Sequence, residues 1–274
     1  MTPPPRTATA EQLLAPLRER PQRSAILCDI DGTLAPIVHM PDTATVPAGA
    51  RQLLEQLARR YGLVACVTGR RARVARQMVG LDSITYFGNH GLERLDPGAD
   101  EPAVDPAILP LGERVRRFAA AHFGPDLERL GVTLEDKDVI WVFHFRNTAD
   151  EQAASRALEQ VAQAAQDEGL YPHWGRKVLE IRPTRAVDKG TAVVAALAGR
   201  GLSYALFGGD DTTDVDAFRQ LRELAADGEL EGAVCVGVAS PESPAEVLDE
   251  ADLVVEGTEG FLKILEALCS TPTS

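Results

Sequence analysis

The chain has 274 residues, of which 45% are hydrophobic and 25% are charged, enough for a sizeable core and for one large or two modest domains. Its formal net charge of -13 argues against a nucleic-acid partner or an anionic membrane surface, but not against an anionic small substrate, because a bound metal can make a local site electropositive. The segment MTPPPRTATA lacks the apolar stretch of a signal peptide, and no apolar run approaches the ~18 residues of a membrane span. We therefore expect a soluble, cytoplasmic protein with no membrane partner.

The cysteines support the same compartment. Cys28, Cys66, Cys235 and Cys269 form no CxxC pair, and three of the four lie in strand-like apolar runs. This pattern favours buried free thiols in a reducing compartment over disulfides or a zinc site.

Apolar strands alternate with helices in the first and last parts of the chain. Thr9 and Gln12 form a capping-box pattern that predicts a short helix through Arg20, and Pro47 begins an amphipathic helix. The runs SAILCDI, GLVACVT and SITYFGN predict strands, and the alternation resumes after Lys189 with SYALFGG, GAVCVGV and DLVVE. Continuous apolar strands that alternate with helices indicate a parallel sheet covered by helices on both faces.

The middle of the chain departs from this alternation. A segment rich in proline, glycine and acidic residues, LDPGADEPAVDPAILP, reads as a linker, and a helix, two strands, a long Ala/Gln-rich helix and two more strands follow it. The order αββαββ predicts a small open sheet with helices on one face. We therefore predict an α/β core from residues 1–108 and 178–274, with an α+β domain from residues 109–177 inserted into it.

Polar residues suited to phosphate chemistry follow four of the predicted core strands. Asp29 and Asp31 are two positions apart at the end of the first strand, so their side chains point to the same side, and Gly32 lets the chain leave the strand. Two converging carboxylates beside an apolar strand favour a divalent cation, since unpaired buried charge is costly. The other three segments contain Thr68 with Gly69, then Lys189, and then Asp210, Asp211 and Asp214.

Each of these segments has an ordinary structural explanation when it is taken alone. The DxD pair can be an acidic turn, Thr68 a helix cap, and Lys189 a surface lysine. The later carboxylates can simply favour a helix dipole. These explanations fail jointly, because all four segments fall at the carboxyl ends of predicted parallel strands, where open α/β sheets bind their ligands.

The ordered motifs DIDGT, TGR, DKG and GDDTTD resemble those of the haloacid dehalogenase superfamily of phosphotransferases. The segments NHGLE, LEDK, HFRN, LEIRP and GDDTTDVDAF look like those of trehalose-6-phosphate phosphatases in particular, and the similarity runs from about residue 25 to residue 218. The resemblance implies a Rossmann-like parallel-sheet phosphatase core whose inserted α+β domain is a cap that closes over the sugar. It also implies Mg²⁺-dependent hydrolysis of trehalose 6-phosphate, a step of trehalose biosynthesis.

The resemblance further implies roles for single residues at the reaction centre. Asp29 would attack phosphorus and become a transient aspartyl phosphate, while Asp31 would act as general acid and base. Mg²⁺ would be held by Asp29, the backbone carbonyl of Asp31, and Asp210. Thr68 and Lys189 would hold the phosphoryl oxygens.

Other positions implied by the resemblance support this centre or bind the substrate. Asp214 would orient Lys189 or a metal-bound water, and Asp211 would support the same site. The implied substrate-binding positions are Asp29, Ile30, Asp31, Thr68, Gly69, Arg70, His90 and Glu93 on the core, and Glu135, Lys137, Arg146, Lys177 and Glu180 on the cap. For the cap positions, cross-strand salt bridges on a solvated sheet face are an alternative explanation.

Three alternative functions follow from the same motifs. The same chemistry could act on another sugar or glycosyl phosphate. A phosphomutase of this superfamily typically carries an insertion soon after the first motif, whereas only about 36 residues separate Asp31 from Thr68 here. A non-catalytic sensor would usually lack the nucleophile or the acid, and both are present. We expect a sugar phosphate as the small-molecule partner, and a monomer in preference to an oligomer.

Overall fold

The computed structural model of the protein describes residues 8–38, 43–175, 177–183, 187–241 and 243–270. The chain divides into two compact units, one formed by Met1–Pro102 with Asp188–Ser274 and the other by Ala103–Val187. The boundaries differ from those predicted at residues 109 and 178. In particular, the strand Val178–Arg182 belongs to the smaller unit, because it hydrogen bonds there to strands on both of its sides. None of the helices in these ranges has the length and apolar character that a membrane span requires.

Strands and helices are numbered along the described residues. The strands are β1 (Ser24–Cys28), β2 (Leu63–Val67), β3 (Thr85–Gly88), β4 (Glu93–Leu95), β5 (Ala103–Val104), β6 (Thr133–Asp136), β7 (Trp141–His144), β8 (Tyr171–Gly175), β9 (Val178–Arg182), β10 (Tyr204–Gly209), β11 (Gly232–Ala239) and β12 (Leu253–Glu256). The helices are α1 (Ala10–Glu19), α2 (Ala48–Ala58), α3 (Ala72–Val79), α4 (Leu109–His122), α5 (Pro125–Arg129), α6 (Glu151–Asp167), α7 (Lys189–Leu197), α8 (Thr212–Ala226), α9 (Ala245–Glu250) and α10 (Gly257–Cys269).

The larger unit is built on a mostly parallel sheet with the strand order β12-β11-β10-β1-β2-β3-β4. Neighbouring strands from β12 to β3 are parallel, and β4 returns antiparallel to β3. Successive side chains of β1 enter opposite apolar clusters, since Ile26 lies in one and Leu27 in the other. The prediction of an α/β core with a parallel sheet covered on both faces is confirmed. Its central strand, β1, lies between β10 and β2, so the residues after β1 emerge at the middle of the sheet edge.

The smaller unit contains an antiparallel sheet with the order β6-β7-β9-β8. One row of its register aligns Glu135, Val142 and Glu180, whereas Phe143 and Leu179 of the alternate row join an apolar cluster with residues of α4 and α6. Helix α6 buries residues spaced by three or four positions, which places one face of the helix on the sheet. The sheet therefore has one helix-covered face and one face with charged side chains. The elements follow the predicted order αββαββ, with the short helix α5 added.

Several local features test the sequence patterns directly. The capping box of Thr9 with Gln12 is present at the start of α1, and Cys28, Cys66 and Cys235 are buried free thiols. The sequence patterns missed β4, the short helices α5 and α9, and β5, which lies in the predicted linker; all four have too few residues to show a period. Helix α8 begins at Thr212, where the Asp211 side chain caps it.

Candidate active site

The loop after β1 brings Asp29 into a buried position. Asp29 is 5% exposed, and its N–H donates to the carbonyl of Gly208, which continues the pairing of β1 with β10. Gly32 has a φ of +83°, and a Cβ on it would lie only 2.0 Å from Oδ2 of Asp210. This position therefore requires glycine both for its backbone conformation and for the space that the Asp210 carboxylate occupies.

Ile30 lies between the two predicted carboxylates, and its side chain points into the core. The side chain is fully buried within the apolar cluster of the sheet, and the Ile30 carbonyl accepts N–H groups from Leu34 and Ala35. Only the backbone of Ile30 is thus placed to contribute to a ligand site.

Four charged side chains meet next to the carboxyl end of β1. Nζ of Lys189 lies 2.6 Å from Oδ1 of Asp214 and 3.1 Å from Oδ1 of Asp29. Carboxylate oxygens of Asp29, Asp210 and Asp214 all lie within 4.8 Å of one another, and all three residues are buried. The structure therefore brings together three of the four segments selected from the sequence, with three carboxylates around one ammonium group.

Asp214 holds this cluster together from the first turn of α8. Its Oδ1 accepts a hydrogen bond from Lys189, and its Oδ2 accepts the backbone N–H groups of Asp210 (3.1 Å) and Asp211 (3.0 Å). Asp211 in turn accepts the N–H of Thr212 at 2.7 Å and caps the helix. With both oxygens engaged, Asp214 orients Lys189 and shapes the loop that presents Asp210.

Burial determines the electrostatics of these groups. Burial raises the pKa of Asp29 well above its ordinary value, and Asp214, Asp210 and Asp31 add to the rise while Lys189 opposes it. Burial also raises the pKa of Asp214. For Lys189, burial lowers the pKa, but attraction to Asp214 and Asp29 outweighs that cost and leaves the pKa above its ordinary value. Lys189 is therefore a stable cation that compensates only part of the buried negative charge.

The donor set fits a hard divalent cation such as Mg²⁺. Such ions prefer carboxylate and carbonyl oxygens, and their charge would offset the excess of buried carboxylates. Asp214 already accepts three N–H groups, so Asp29 and Asp210 are the carboxylates placed for this role. The space above Gly32 that holds the Asp210 carboxylate is consistent with this assignment.

The loop after β2 connects to the loop after β1 through an ion pair. Thr68 is 1% exposed, and its hydroxyl oxygen accepts the backbone N–H of Arg70 at 3.2 Å. The Arg70 guanidinium then donates from Nε to Oδ2 of Asp31 at 2.6 Å and from Nη2 to Oδ1 at 2.7 Å. Both carboxylate oxygens of Asp31 are thus held by one planar cation.

The turn after β3 brings the remaining core positions to the same loop. The His90 ring packs on Gly69, where a Cβ would lie 2.8 Å from two ring atoms. Glu93 on β4 is 2% exposed, with Oε2 accepting the N–H of Ala72 and Oε1 accepting from Nδ2 of Asn89, both at 2.8 Å. Glu93 therefore directs both oxygens to donors of the protein itself.

The cap positions form ion pairs on the charged face of the smaller sheet. Glu135 lies 2.8 Å from Nε2 of His144, and Nζ of Lys137 lies 3.5 Å from Oε1 of Glu180. Arg182 donates from Nε (2.9 Å) and Nη2 (2.6 Å) to Oε2 of Glu180, and these two residues are buried. For Glu135, partial burial raises the pKa, but the hydrogen bond with His144 and the charge of Lys137 outweigh it and lower the pKa.

The other two cap positions lie in turns that follow strands of this sheet. Lys177, in the turn between β8 and β9, pairs with Glu151 at 2.6 Å, and Arg146 lies in the turn after β7. The sequence patterns missed His144 and Arg182. Strand alternation could have identified both residues. His144 lies two positions after Val142 on β7 and Arg182 two positions after Glu180 on β9, so each shares a sheet face with that residue.

A family model described as Trehalose-phosphatase matches residues 27–247, which include every site segment described above. The chain belongs to the trehalose-phosphatase family. The central sheet and its loops are thus those of a family member, and the fold is that of haloacid dehalogenase-like structures.

Individual relatives of this trehalose-phosphatase family member cover it to different extents. It is 35% identical over 214 residues to an uncharacterized glycosyl hydrolase of Mycobacterium tuberculosis, covering 73% of this chain and 15% of that protein. It is 33% identical over 230 residues to the probable trehalose-phosphate phosphatase G of Arabidopsis thaliana, covering 74% of this chain and 59% of that protein. The chain therefore spans less than two thirds of these relatives.

A solved structure extends the similarity to nearly the whole fold. The C-terminal domain of trehalose-6-phosphate phosphatase from C. albicans superimposes with a TM-score of 0.77 at 23% sequence identity, covering 96% of this chain and 97% of that chain. At this level of identity the agreement establishes the fold.

Proposed function

We propose that this chain hydrolyses trehalose 6-phosphate to trehalose and inorganic phosphate. The observation that carries the proposal is the buried juxtaposition of Asp29 with Lys189 and Asp210 at the carboxyl end of β1, in a member of the trehalose-phosphatase family. The names of curated relatives such as the probable phosphatase of Arabidopsis thaliana support the choice of substrate.

The proposed reaction proceeds in two displacements at phosphorus. A carboxylate oxygen of Asp29 forms a bond to phosphorus while the bond from phosphorus to the sugar oxygen breaks, and Asp31 gives its proton to that oxygen. The oxygen of a water molecule then forms a bond to phosphorus while the bond from phosphorus to Asp29 breaks, and the water gives a proton to Asp31. This second displacement releases phosphate and regenerates the carboxylate of Asp29. Lys189, Thr68 and Arg70 hold the phosphoryl oxygens, so positioning and charge compensation supply most of the acceleration.

Mg²⁺ is the proposed cofactor, held by Asp29, the backbone carbonyl of Asp31, and Asp210. When bound, it supplies the positive charge that reduces repulsion between the nucleophile and a phosphate dianion. The raised pKa of Asp29 supports this assignment, because the site without a cation disfavours the ionised nucleophile that the reaction needs.

The sugar is the proposed ligand of the charged face of the smaller unit. That face supplies hydrogen-bond donors and acceptors from Glu135, Lys137 and Glu180. The hydroxyl groups of a sugar can pair with both kinds, because each can donate and accept a hydrogen bond. Arg146 and Lys177 belong to the same proposal by resemblance. The buried free thiol of Cys28 supports a reducing compartment such as the cytoplasm for this reaction.

A panel of sugar phosphates with detection of released phosphate tests the proposal. We expect trehalose 6-phosphate to be hydrolysed faster than glucose 6-phosphate, and EDTA to abolish both reactions until Mg²⁺ is restored. Equal rates on the two substrates would leave a general sugar phosphatase, which is the alternative function. Retained turnover in Asp29→Asn, with Asp227→Asn on the protein surface as the matched control, would remove Asp29 as the nucleophile.

A further inference from the structure

Glu93 joins the start of helix α3 to the turn that follows β3. Its Oε2 accepts the backbone N–H of Ala72, and its Oε1 accepts from the side-chain amide of Asn89, each at 2.8 Å. The Glu93 side chain is almost wholly buried, with the residue 2% exposed. A buried carboxylate with two protein donors is a costly arrangement to break, because either donor would be left inside without its acceptor.

Helix α3 depends on this carboxylate because its own N-cap residue does not supply one. Arg71 occupies the N-cap position and makes no side-chain capping hydrogen bond. Glu93 takes that place from a neighbouring strand, and its negative charge suits the positive end of the helix dipole. The start of α3 is thus anchored to β4, immediately after the loop that contains Thr68 and Arg70.

The turn at Asn89 holds the same loop from the other side. The N–H of Asn89 donates to the carbonyl of Arg70 at 2.8 Å, and the N–H of His90 donates to the carbonyl of Thr68 at 2.9 Å. Asn89 and His90 have φ values of 50° and 59°, in the left-handed region that non-glycine residues rarely occupy. Two successive residues keep this conformation only where surrounding contacts impose it, and the Glu93 contact to the Asn89 side chain is one of them.

We propose that Glu93 is a positioning residue that fixes the loop from Thr68 to Arg71 for phosphoryl binding, and that it does not read the sugar. The proposal deepens the proposed function, on which it rests for the role of Thr68 and Arg70. Removal of the carboxylate takes an acceptor from the N–H of Ala72 and from the Asn89 side chain at the same time. The loop then no longer holds the Thr68 hydroxyl and the Arg70 guanidinium in fixed positions. A displacement of about 1 Å at such groups costs up to about 100-fold in rate.

Two substrates that share a phosphate and differ in the rest of the molecule separate the two roles. We expect Glu93→Ala to lower kcat/KM by roughly 10- to 100-fold on both trehalose 6-phosphate and p-nitrophenyl phosphate, by a similar factor on each. Glu93→Gln should recover most of the loss, because one amide oxygen can still accept the Ala72 N–H while its NH₂ group meets an Asn89 amide that has rotated. A loss confined to trehalose 6-phosphate would overturn the proposal and make Glu93 a sugar contact.

Two further measurements keep the test independent of sugar hydrolysis. Hydrogen exchange should accelerate in the segment 68–76 of Glu93→Ala, and calorimetry in Mg²⁺ should show weaker binding of inorganic phosphate. Thr9→Ala is the control, since it removes a side-chain N-cap from α1 of the same unit without touching this loop. Unchanged exchange and unchanged phosphate binding in Glu93→Ala would overturn the proposal. If the unmodified protein hydrolyses p-nitrophenyl phosphate but not trehalose 6-phosphate, the proposed function fails. The positioning role of Glu93 is then tested by the effect of Glu93→Ala on p-nitrophenyl phosphate hydrolysis.

Discussion

The Arg70 guanidinium donates two parallel hydrogen bonds, of 2.6 and 2.7 Å, to the two carboxylate oxygens of Asp31. The pair joins the loop after β2 to the loop after β1, and the side chains are 16% and 36% exposed. A proton on Asp31 needs an oxygen of its own, so the proposed acid and base step requires Arg70 to release at least one of these contacts. An incoming phosphoryl group is the natural second acceptor for that guanidinium.

Replacement of Arg70 by lysine tests this relationship. Lysine keeps the charge and loses the planar pair of donors, so Arg70→Lys should lower kcat by about 10- to 100-fold on both sugar and aryl phosphates. Steady-state kinetics on the two substrates measure it. Arg94→Lys is the matched control, because Arg94 pairs with Asp96 in a half-exposed position. Equal activity of the two variants would show that the bidentate geometry is irrelevant.

The buried ammonium of Lys189 should dominate the stability of the site. Lys189→Met leaves Asp29 and Asp214 without their cation, and loss of one partner from such a buried pair typically costs about 3–5 kcal/mol of unfolding free energy. Urea denaturation in EDTA measures the loss, and added Mg²⁺ should restore more stability to this variant than to the unmodified protein. Lys263→Met on the exposed face of α10 is the control. An unfolding free energy within 1 kcal/mol of the parent, on the order expected for a surface site, would contradict the assignment.

Arg182 should affect sugar binding through Glu180. Arg182→Lys loses one of the two donors on Oε2 of Glu180, so the carboxylate is held less firmly. We expect KM for trehalose 6-phosphate to rise by roughly 10-fold while kcat/KM for p-nitrophenyl phosphate stays constant. Arg116→Lys, which alters the surface pair with Glu113, should change neither parameter. An equal decline of kcat/KM on both substrates would show instead that Arg182 acts through the general stability of the protein.

Tyr61 should make the fold sensitive to alkali. Its hydroxyl donates to the carbonyl of Leu268 at 2.9 Å, and burial raises its pKa from 10.0 to about 12. Because the folded state holds this proton more tightly than the unfolded chain, the stabilisation is complete below pH 10 and is lost as the pH rises towards 12. The loss at pH 11 amounts to about 1.4 kcal/mol.

Urea denaturation of Tyr61→Phe and the unmodified protein between pH 8 and 11 tests this dependence. At pH 8 the variant should be less stable by about 1 kcal/mol, the net worth of the missing hydrogen bond. Towards pH 11 the difference should shrink or change sign, because phenylalanine has no proton to lose. Parallel curves across the whole range would show that Tyr61 does not titrate with the fold.

Local patterns were sufficient for most of the fold. Continuous apolar runs such as those of β1 and β2 identify buried parallel strands, because such strands are covered on both faces. The three-residue strand β4 was not predicted, since it has no detectable period and owes its conformation to its pairing with β3. The boundary at residue 178 was wrong because it left β9, the last strand of the predicted order αββαββ, outside the inserted domain, whereas β9 hydrogen bonds to β7 and β8 of the smaller sheet.

The candidates for the chemistry could be identified from local sequence, since Asp29, Lys189 and Asp210 stand where predicted strands end or helices begin. The partner of each carboxylate oxygen could be identified only from the folded structure. Asp31 accepts hydrogen bonds from Arg70, 39 residues away, and Glu93 accepts the N–H at the start of α3, 21 residues away. The physical reason is that strand periodicity acts over neighbouring positions, whereas a hydrogen bond depends on distances that exist only once separate strands have paired.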